Sequence, residues 1–217
     1  MSRSTIRARV QHHPSRCALL PRLLHHLSPF FPEVVEHSSQ PPDPWTGYKR
    51  CVTEPPDCTH LLIIQDDALP VPGFAEALPV IASDSSDRPV CLWMGAIPAA
   101  AAGRARRAHG KQRYVPLGPA PFVPLVAVLW PLAEVRAFAE WAETSSRLTR
   151  ADDGNAARWM RQTRQEFLVC VPSVVEHDDF TPTVKGGRPQ TSGRDRSRVA
   201  LLLAEDAADW YPSDGHL

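Results

Sequence analysis

Two adjacent carboxylates, Asp66 and Asp67, come shortly after a run of four branched apolar residues, Leu61 to Ile64. Gln65 separates the apolar run from the aspartate pair. A short apolar run of this kind predicts a buried strand, and open α/β sheets bind their ligands beyond the carboxyl ends of such strands. Neighbouring negative charges repel each other, and a divalent cation offsets the repulsion because hard cations take carboxylate oxygens as ligands. The pair therefore predicts a cation site at the end of this strand.

Two further groups have side chains suited to such a site. Asp152 and Asp153 begin an amphipathic stretch that predicts a helix, where capping and the helix dipole also favour acidic residues without any catalytic role. His177 follows a predicted strand, and Mn²⁺ tolerates an imidazole ligand beside its preferred oxygens. The neighbouring Asp178 and Asp179 are alternative ligands at that position.

The order of these features resembles the GT-A type of nucleotide-sugar glycosyltransferase. Those enzymes have an Asp-x-Asp-like metal motif after a central strand, a glycine-containing loop, an acidic pair at a helix start and a late metal-binding histidine. The resemblance covers roughly residues 5 to 180, and several segments are especially similar to small bacterial and phage members. These segments are His13-Pro14-Ser15-Arg16, residues 62–68 with Gln65-Asp66-Asp67, and residues 172–177, while Gly118 stands at the position of the glycine-containing loop.

The resemblance implies a metal-dependent transferase that moves a sugar from a nucleotide-diphosphate donor, with a UDP-sugar favoured, to a hydroxyl acceptor. Mn²⁺ or Mg²⁺ would bridge the two phosphates as a Lewis acid. Asp67 is the favoured direct ligand and His177 a third ligand. Asp66 would contact the metal through water, bind it directly or hold the ribose. In an inverting reaction Asp153 would be the general base, with Asp152 as the second choice.

Four more residues are candidates for contacts with the donor nucleotide. Arg16, near the end of the first strand, could reach the phosphates, and Glu36 or His37, at the end of the second, could meet the base or ribose. Trp45 lies in a Pro-rich loop near the predicted strand ends and could stack on a sugar or base. Each of these residue types is also common at ordinary surface or core positions.

The net charge is zero, but positive charge is concentrated in two segments, residues 103–113 and 185–198. Such segments indicate a polyanionic or phosphorylated partner, or solvated loops. One acceptor that carries phosphates is phage-type DNA with hydroxymethylated pyrimidines. DNA-binding domains are usually basic overall, whereas this chain has no net charge. A surface glycan or a protein hydroxyl are the alternatives. The candidate acceptor- or phosphate-binding residues are Arg104, Arg106, Arg107, Lys185 and Arg188.

Two other classes of protein fit part of the pattern. A metal-dependent phosphoesterase or nuclease would use the same aspartate pair, but two-metal sites need more carboxylates and histidines. A non-catalytic nucleotide- or nucleic-acid-binding module would need the basic segments but not the acidic pair. The aspartate pair therefore separates the enzymes from the binding module.

Cysteine usage and hydropathy predict a cytoplasmic protein without a membrane segment. The five cysteines are odd in number and form no Cys-x-x-Cys motif, which indicates reduced thiols. No apolar core follows the basic N-terminus, so we expect no signal peptide. The longest apolar stretch, residues 122–133, is broken by two prolines and is too short to cross a bilayer.

Hydrophobic periodicity predicts the elements that must position these side chains. Alternating strands and helices in the first half predict a largely parallel sheet there. With the resemblance, this predicts a single GT-A-like (Rossmann-like) α/β domain, whose mixed, mostly parallel sheet is flanked by helices. Its parts would be a nucleotide-binding half (1–100), an acceptor half (101–180), and a flexible basic loop with an acidic tail (181–217). Predicted strands are 5–10, 32–37, 61–65, 90–97, 114–117, 122–130 and 167–171; predicted helices are 14–27, 44–52, 73–81, 132–144, 152–164 and 199–204; residues 99–111 are a helix or a mobile loop.

Overall fold

A computed structural model describes residues 5–39, 43–96, 98–178 and 199–206. Within these ranges the chain forms strands and helices in alternation through its first half, as its hydrophobic pattern predicts. The strands are β1 Ile6–His12, β2 Glu33–Glu36, β3 His60–Gln65, β4 Ala68–Pro70, β5 Val90–Cys91, β6 Tyr114–Pro116, β7 Ala127–Pro131, β8 Leu168–Cys170 and β9 Val175–His177. The helices are α1 Leu20–Leu27, α2 Pro44–Val52, α3 Phe74–Asp84, α4 Ala99–Ala108, α5 Leu132–Thr144 and α6 Asp152–Thr163, with 3-10 turns at Pro14–Leu19 and Ser28–Phe30.

Seven strands form one sheet in the order β2-β1-β3-β7-β5-β8-β6. Strand β1 pairs in parallel with β2 and β3, and β5 pairs in parallel with β8. Strands β7 and β6 run antiparallel to their neighbours, so the remaining five strands all point the same way. The parallel first half of the sheet was predicted, and the mixed α/β class with a mostly parallel sheet flanked by helices is confirmed.

Helices cover both faces of this sheet, which explains why β3 is apolar on both sides. Side chains of α2, α4, α5 and α6 pack on one face, around an aromatic cluster that includes Trp130, Phe138, Trp159 and Phe167. Side chains of α1 and α3 pack on the other face, against the even-numbered residues of β1 and β3. In open α/β sheets covered in this way, ligands bind beyond the carboxyl ends of the strands.

A second, two-stranded sheet was not predicted. It pairs β4 with β9 in antiparallel fashion, so that Ala68 lies opposite His177. Each of these strands has three residues, which is too short for a hydrophobic period to be visible in the sequence. This pairing matters for the site because it joins the segment after Asp67 to the segment that carries the late histidine.

Three predicted elements differ from the structure. The strand predicted at 90–97 is only Val90–Cys91. The strand predicted at 122–130 is Ala127–Pro131, because the prolines that precede Ala127 have no N–H to donate to a neighbouring strand. Residues 199–204 are not helical, and Leu203 instead forms a parallel bridge with Ser173. The uncertain segment 99–111 is a helix over Ala99–Ala108.

The predicted division into a nucleotide-binding half, an acceptor half and a basic loop stays a prediction, and residues 181–198 lie outside the described ranges. In the ranges that are described, no helix is long and apolar enough to cross a membrane.

Candidate functional site

Asp66 is buried at the carboxyl end of β3, where its backbone N–H donates to the Gln11 carbonyl at 3.1 Å. Its Oδ2 lies 3.0 Å from His12 Nδ1 and accepts a hydrogen bond from the His13 backbone N–H at 2.8 Å. Its Oδ1 accepts from Arg16 Nη1 at 2.8 Å. Both carboxylate oxygens of Asp66 are thus occupied by groups from the last residue of β1 and from the segment that follows it.

Asp67 lies beside it and is equally buried, with Oδ2 at 2.6 Å from Arg16 Nη1 and at 3.2 Å from His177 Nε2. The β4–β9 pairing brings His177 to this position, and the Asp67 carbonyl accepts the Asp178 N–H at 2.7 Å. Side chains 110 residues apart in sequence therefore meet at the end of β3. We call Asp66, Asp67, Arg16, His12 and His177 the carboxylate cluster.

Arg16 supplies the positive charge of the carboxylate cluster. Burial by itself lowers the pKa of the Arg16 guanidinium, but the charges and hydrogen bonds of Asp67 and Asp66 outweigh burial and raise it. The repulsion from which the sequence predicts a cation is therefore offset here by a side chain of the same chain. Sequence reasoning assigned Arg16 to phosphates and did not foresee this pairing.

Trp93 is a neighbour of this cluster that sequence reasoning did not single out. Its ring centroid lies 5.6 Å from that of His177, and its buried Nε1 has no hydrogen-bond partner among the described residues. Trp93 comes two residues after β5 at the same edge of the sheet. Its position at a strand end was the signal that could have found it, because ligands bind at such ends.

Asp152 begins α6 and is 7% exposed. Its Oδ1 accepts the Asp153 N–H at 2.8 Å, while its Oδ2 has no hydrogen-bond partner within the described ranges. The Gln11 side chain lies near this carboxyl group, and its Nε2 donates to the Pro44 carbonyl at 2.9 Å. Burial, followed by the neighbouring charge of Asp153, raises the pKa of Asp152 to about 6.

Asp153 is only half-buried, and its Oδ1 accepts the Gly154 N–H at 2.6 Å. Burial raises its pKa as well. The Asp153 carbonyl accepts the Val123 N–H, and the Val126 carbonyl accepts the Gln65 N–H. Val123 and Val126 are three residue steps apart, which span at most about 11 Å. Because one end of this segment binds the start of α6 and the other binds the end of β3, the two elements lie close together.

His37 lies at the end of β2, and its backbone N–H donates to the His12 carbonyl at 2.9 Å. Burial lowers the pKa of its imidazole, with Asp43 opposing that effect. A Cβ on Gly47 of α2 would come within 3.0 Å of the His37 ring, so only glycine lets the helix approach this closely. Glu36 is exposed beside it, and its carbonyl accepts from Arg50 Nη1.

Trp45 does not face the strand ends. The sequence predicted that its ring could stack on a ligand, but the structure places it in the first turn of α2, 7% exposed, with its ring 5.9 Å from that of Phe138. The proline before it begins the helix, and the helix directs this position toward the core. This corrects the expectation of a ligand-facing tryptophan.

The basic residues of α4 have two different environments. Arg104 is partly buried and connects α4 to β6, donating its Nε to the Pro116 carbonyl at 2.9 Å and its Nη2 to the Leu117 carbonyl, and it also lines the open cavity described next. Arg106 and Arg107 are exposed, and Arg107 lines an open cavity of about 240 Å³ with Lys111. Lys185, Arg188 and Asp179 lie outside the described residues.

The carboxylate cluster has few side chains that could hold a metal ion. In the described part of the chain, no three His, Cys, Asp or Glu side chains are grouped to hold a metal ion by themselves. Asp67 and His177 provide two ligand atoms 3.2 Å apart. Mg²⁺-type ions are often held by one or two protein ligands together with substrate phosphates, so this pair fits an ion that binds with a phosphorylated substrate.

Comparison with known proteins finds no matching family model and no matching curated protein. Forty-one chains of solved structures match. One is the crystal structure of A197 from STIV, which is 12% identical, with a TM-score of 0.49. The match covers 82% of this chain and 86% of that one.

Proposed function

We propose that this protein is a metal-dependent glycosyltransferase that moves a sugar from a nucleotide-diphosphate donor to a hydroxyl acceptor. The observation that carries the proposal is the meeting of Asp67 and His177 beside Asp66 at the carboxyl end of β3. An acidic pair and a histidine at that edge suit a cation that binds the two phosphates of the donor. A UDP-sugar is the favoured donor because of the resemblance described above.

Asp67 and His177 would hold the cation, which when bound would neutralise the diphosphate leaving group. Asp66 has both oxygens occupied by His12, the His13 N–H and Arg16, so its role is to position these groups. The sequence alone left open which aspartate contacts the metal, and we favour Asp67 because its Oδ2 lies 3.2 Å from Nε2 of the second candidate ligand, His177.

Asp153 would take the proton from the acceptor hydroxyl in an inverting reaction. It is the more exposed of the two aspartates at the start of α6, so an acceptor can reach it more easily than Asp152. Burial raises its pKa, which makes the ionised carboxylate a stronger base at neutral pH. Asp152 is buried beside Gln11 and would support this helix start rather than contact the acceptor.

The acceptor side of the proposal relies on α4. Arg106 and Arg107 are exposed, and Lys111 lines the same open cavity as Arg107. These cations suit an acceptor that carries phosphates, such as DNA with hydroxymethylated pyrimidines, whose target base would have to leave the stack. Transfer to hydroxymethylated DNA, compared with unmodified DNA of the same sequence, tests this acceptor against a surface glycan or a protein hydroxyl.

Thermal unfolding with UDP-, GDP- and CDP-sugars, each with and without Mn²⁺, tests the donor side. A ligand present at 100 times its Kd stabilises the folded state by about 2.7 kcal/mol. We expect a metal-dependent rise in Tm with one nucleotide class, and we expect Asp67→Asn to remove the metal dependence. Asp57→Asn is the matched control, since Asp57 is exposed just before the amino end of the same strand.

The reaction products separate the enzyme classes. Slow donor hydrolysis by a glycosyltransferase releases nucleoside diphosphate and free sugar, whereas a phosphoesterase releases nucleoside monophosphate and sugar phosphate. We expect the first pair of products, and a loss of at least about 100-fold in transfer for Asp153→Asn with nucleotide binding retained. The absence of a metal-dependent Tm shift with every nucleotide would refute the proposal.

A further inference from the structure

Arg16 occupies the space between the two carboxylates. A single nitrogen, Nη1, lies 2.8 Å from Asp66 Oδ1 and 2.6 Å from Asp67 Oδ2, and the side chain is 12% exposed. Charge-assisted hydrogen bonds of this length are among the stronger polar contacts in proteins. The positive charge therefore stands where the repulsion between the carboxylates is greatest.

The guanidinium is not fully satisfied in this position. Its Nε is buried and has no hydrogen-bond partner among the described residues. A guanidinium has five N–H donors in a planar fork that matches the oxygens of a phosphate group. Arg16 thus has both the spare donor and the geometry to bind a phosphate that enters at this edge of the sheet.

The same Asp67 oxygen contacts both Arg16 and His177. A divalent cation held by Asp67 and His177 would lie next to the Arg16 guanidinium, because Nη1 is only 2.6 Å from the same Asp67 oxygen. Two positive charges this close together repel each other. Arg16 must therefore oppose metal binding for as long as it stays paired with Asp67. A ligand that draws the guanidinium away would remove this opposition.

We infer that Arg16 is an internal counter-ion that is exchanged when the donor binds. The guanidinium stabilises the two carboxylates in the free protein, then moves to the donor diphosphate, and a divalent cation takes its place beside Asp67. This rests on the proposed function. Nucleotide binding and metal binding are therefore coupled, and each strengthens the other by the same factor.

Mn²⁺ titration followed by electron paramagnetic resonance measures this coupling without any turnover. The wild type, Arg16→Gln and Arg16→Lys are titrated with Mn²⁺ alone, and again in the presence of each of UDP, GDP and CDP. Arg16→Lys keeps the positive charge at this position. Arg136→Gln removes a positive charge from an exposed position on α5, which begins near the amino end of β3, and is the matched control.

Without nucleotide, we expect Arg16→Gln to bind Mn²⁺ at least about tenfold more tightly than the wild type, about 1.4 kcal/mol. Arg16→Lys and Arg136→Gln should bind Mn²⁺ about as tightly as the wild type. Nucleotide should strengthen Mn²⁺ binding to the wild type and so reduce the difference in Mn²⁺ affinity between the wild type and Arg16→Gln. If the wild type binds Mn²⁺ with a nucleotide but Arg16→Gln binds no more tightly without one, the inference is wrong and the proposed function stands. If no protein binds Mn²⁺ even with nucleotide, both are wrong.

Discussion

Replacing Asp152 with Asn should stabilise the protein at neutral pH. Asp152 is 7% exposed and its Oδ2 has no hydrogen-bond partner in the described part of the chain, so its ionised form is poorly solvated. Asn has nearly the same shape, and its Oδ1 can still accept the Asp153 N–H. Its amide also adds a donor near Gln11, whose buried Oε1 has no partner within the described ranges.

The magnitude follows from the pKa of Asp152, which burial raises from 3.8 to about 6. Between these pH values the folded state binds more protons than the unfolded state, so the free energy of unfolding falls as the pH rises. At about 1.36 kcal/mol per pH unit, the wild type loses about 3 kcal/mol between pH 3.8 and pH 7 through this residue. Asp152→Asn has no such loss, so its advantage over the wild type should grow by about that amount.

Urea unfolding of both proteins in steps from pH 4 to pH 8 measures this difference. The midpoint and slope of each curve give the free energy of unfolding. Asp87→Asn, at an exposed position, should stay within about 0.5 kcal/mol of the wild type throughout. A difference between Asp152→Asn and the wild type that does not change with pH would show that Asp152 is not held in an unfavourable ionised state.

Three other predictions concern two buried hydrogen-bonding side chains and the reactivity of the cysteines. Arg9→Met should lower the free energy of unfolding by about 2–3 kcal/mol, because the Arg9 guanidinium donates to three backbone carbonyls in the last turn of α2 and just after it; urea unfolding checks this, and a loss below about 1 kcal/mol contradicts it. Tyr48→Phe should cost about 1–3 kcal/mol, since it leaves the buried Trp130 N–H without its acceptor; an unchanged urea midpoint would contradict this. Iodoacetamide at pH 8 should modify Cys17 alone, because the other four cysteines are buried and burial raises the pKa of each; a second adduct in the intact mass of the folded protein would be inconsistent with this.

Long elements with a clear hydrophobic period were predictable from the sequence. The bounds of α2 and α5 agree with the predicted 44–52 and 132–144, because a proline begins the first and an amphipathic pattern spans the second. The strand before Asp66 was predicted within one residue, since an unbroken apolar run fits only a position buried on both faces. The three-residue strands β4 and β9 were missed because they are too short to show a period.

Candidate site residues were predictable by type and by strand end, but their partners were not. Asp66, Asp67 and His177 were chosen because polar side chains after buried strands gather at one edge of the sheet. Trp45 was chosen from its Pro-rich surroundings, yet its ring lies in the core because the direction of a helix face depends on the helix docking against the sheet. Arg104 was chosen for its charge, which says nothing about the two carbonyls that it binds.

The sequence by itself determined that two carboxylates lie at the end of a buried strand and that their repulsion must be offset by a positive charge. Only the tertiary structure decided which charge that is. Arg16 and His177 are separated by 160 residues in the chain, and they reach Asp67 because β1 pairs beside β3 and β9 pairs with β4. Residue types and local spacing limit the chemistry, whereas long-range strand pairing selects the partners, and no local pattern encodes that pairing.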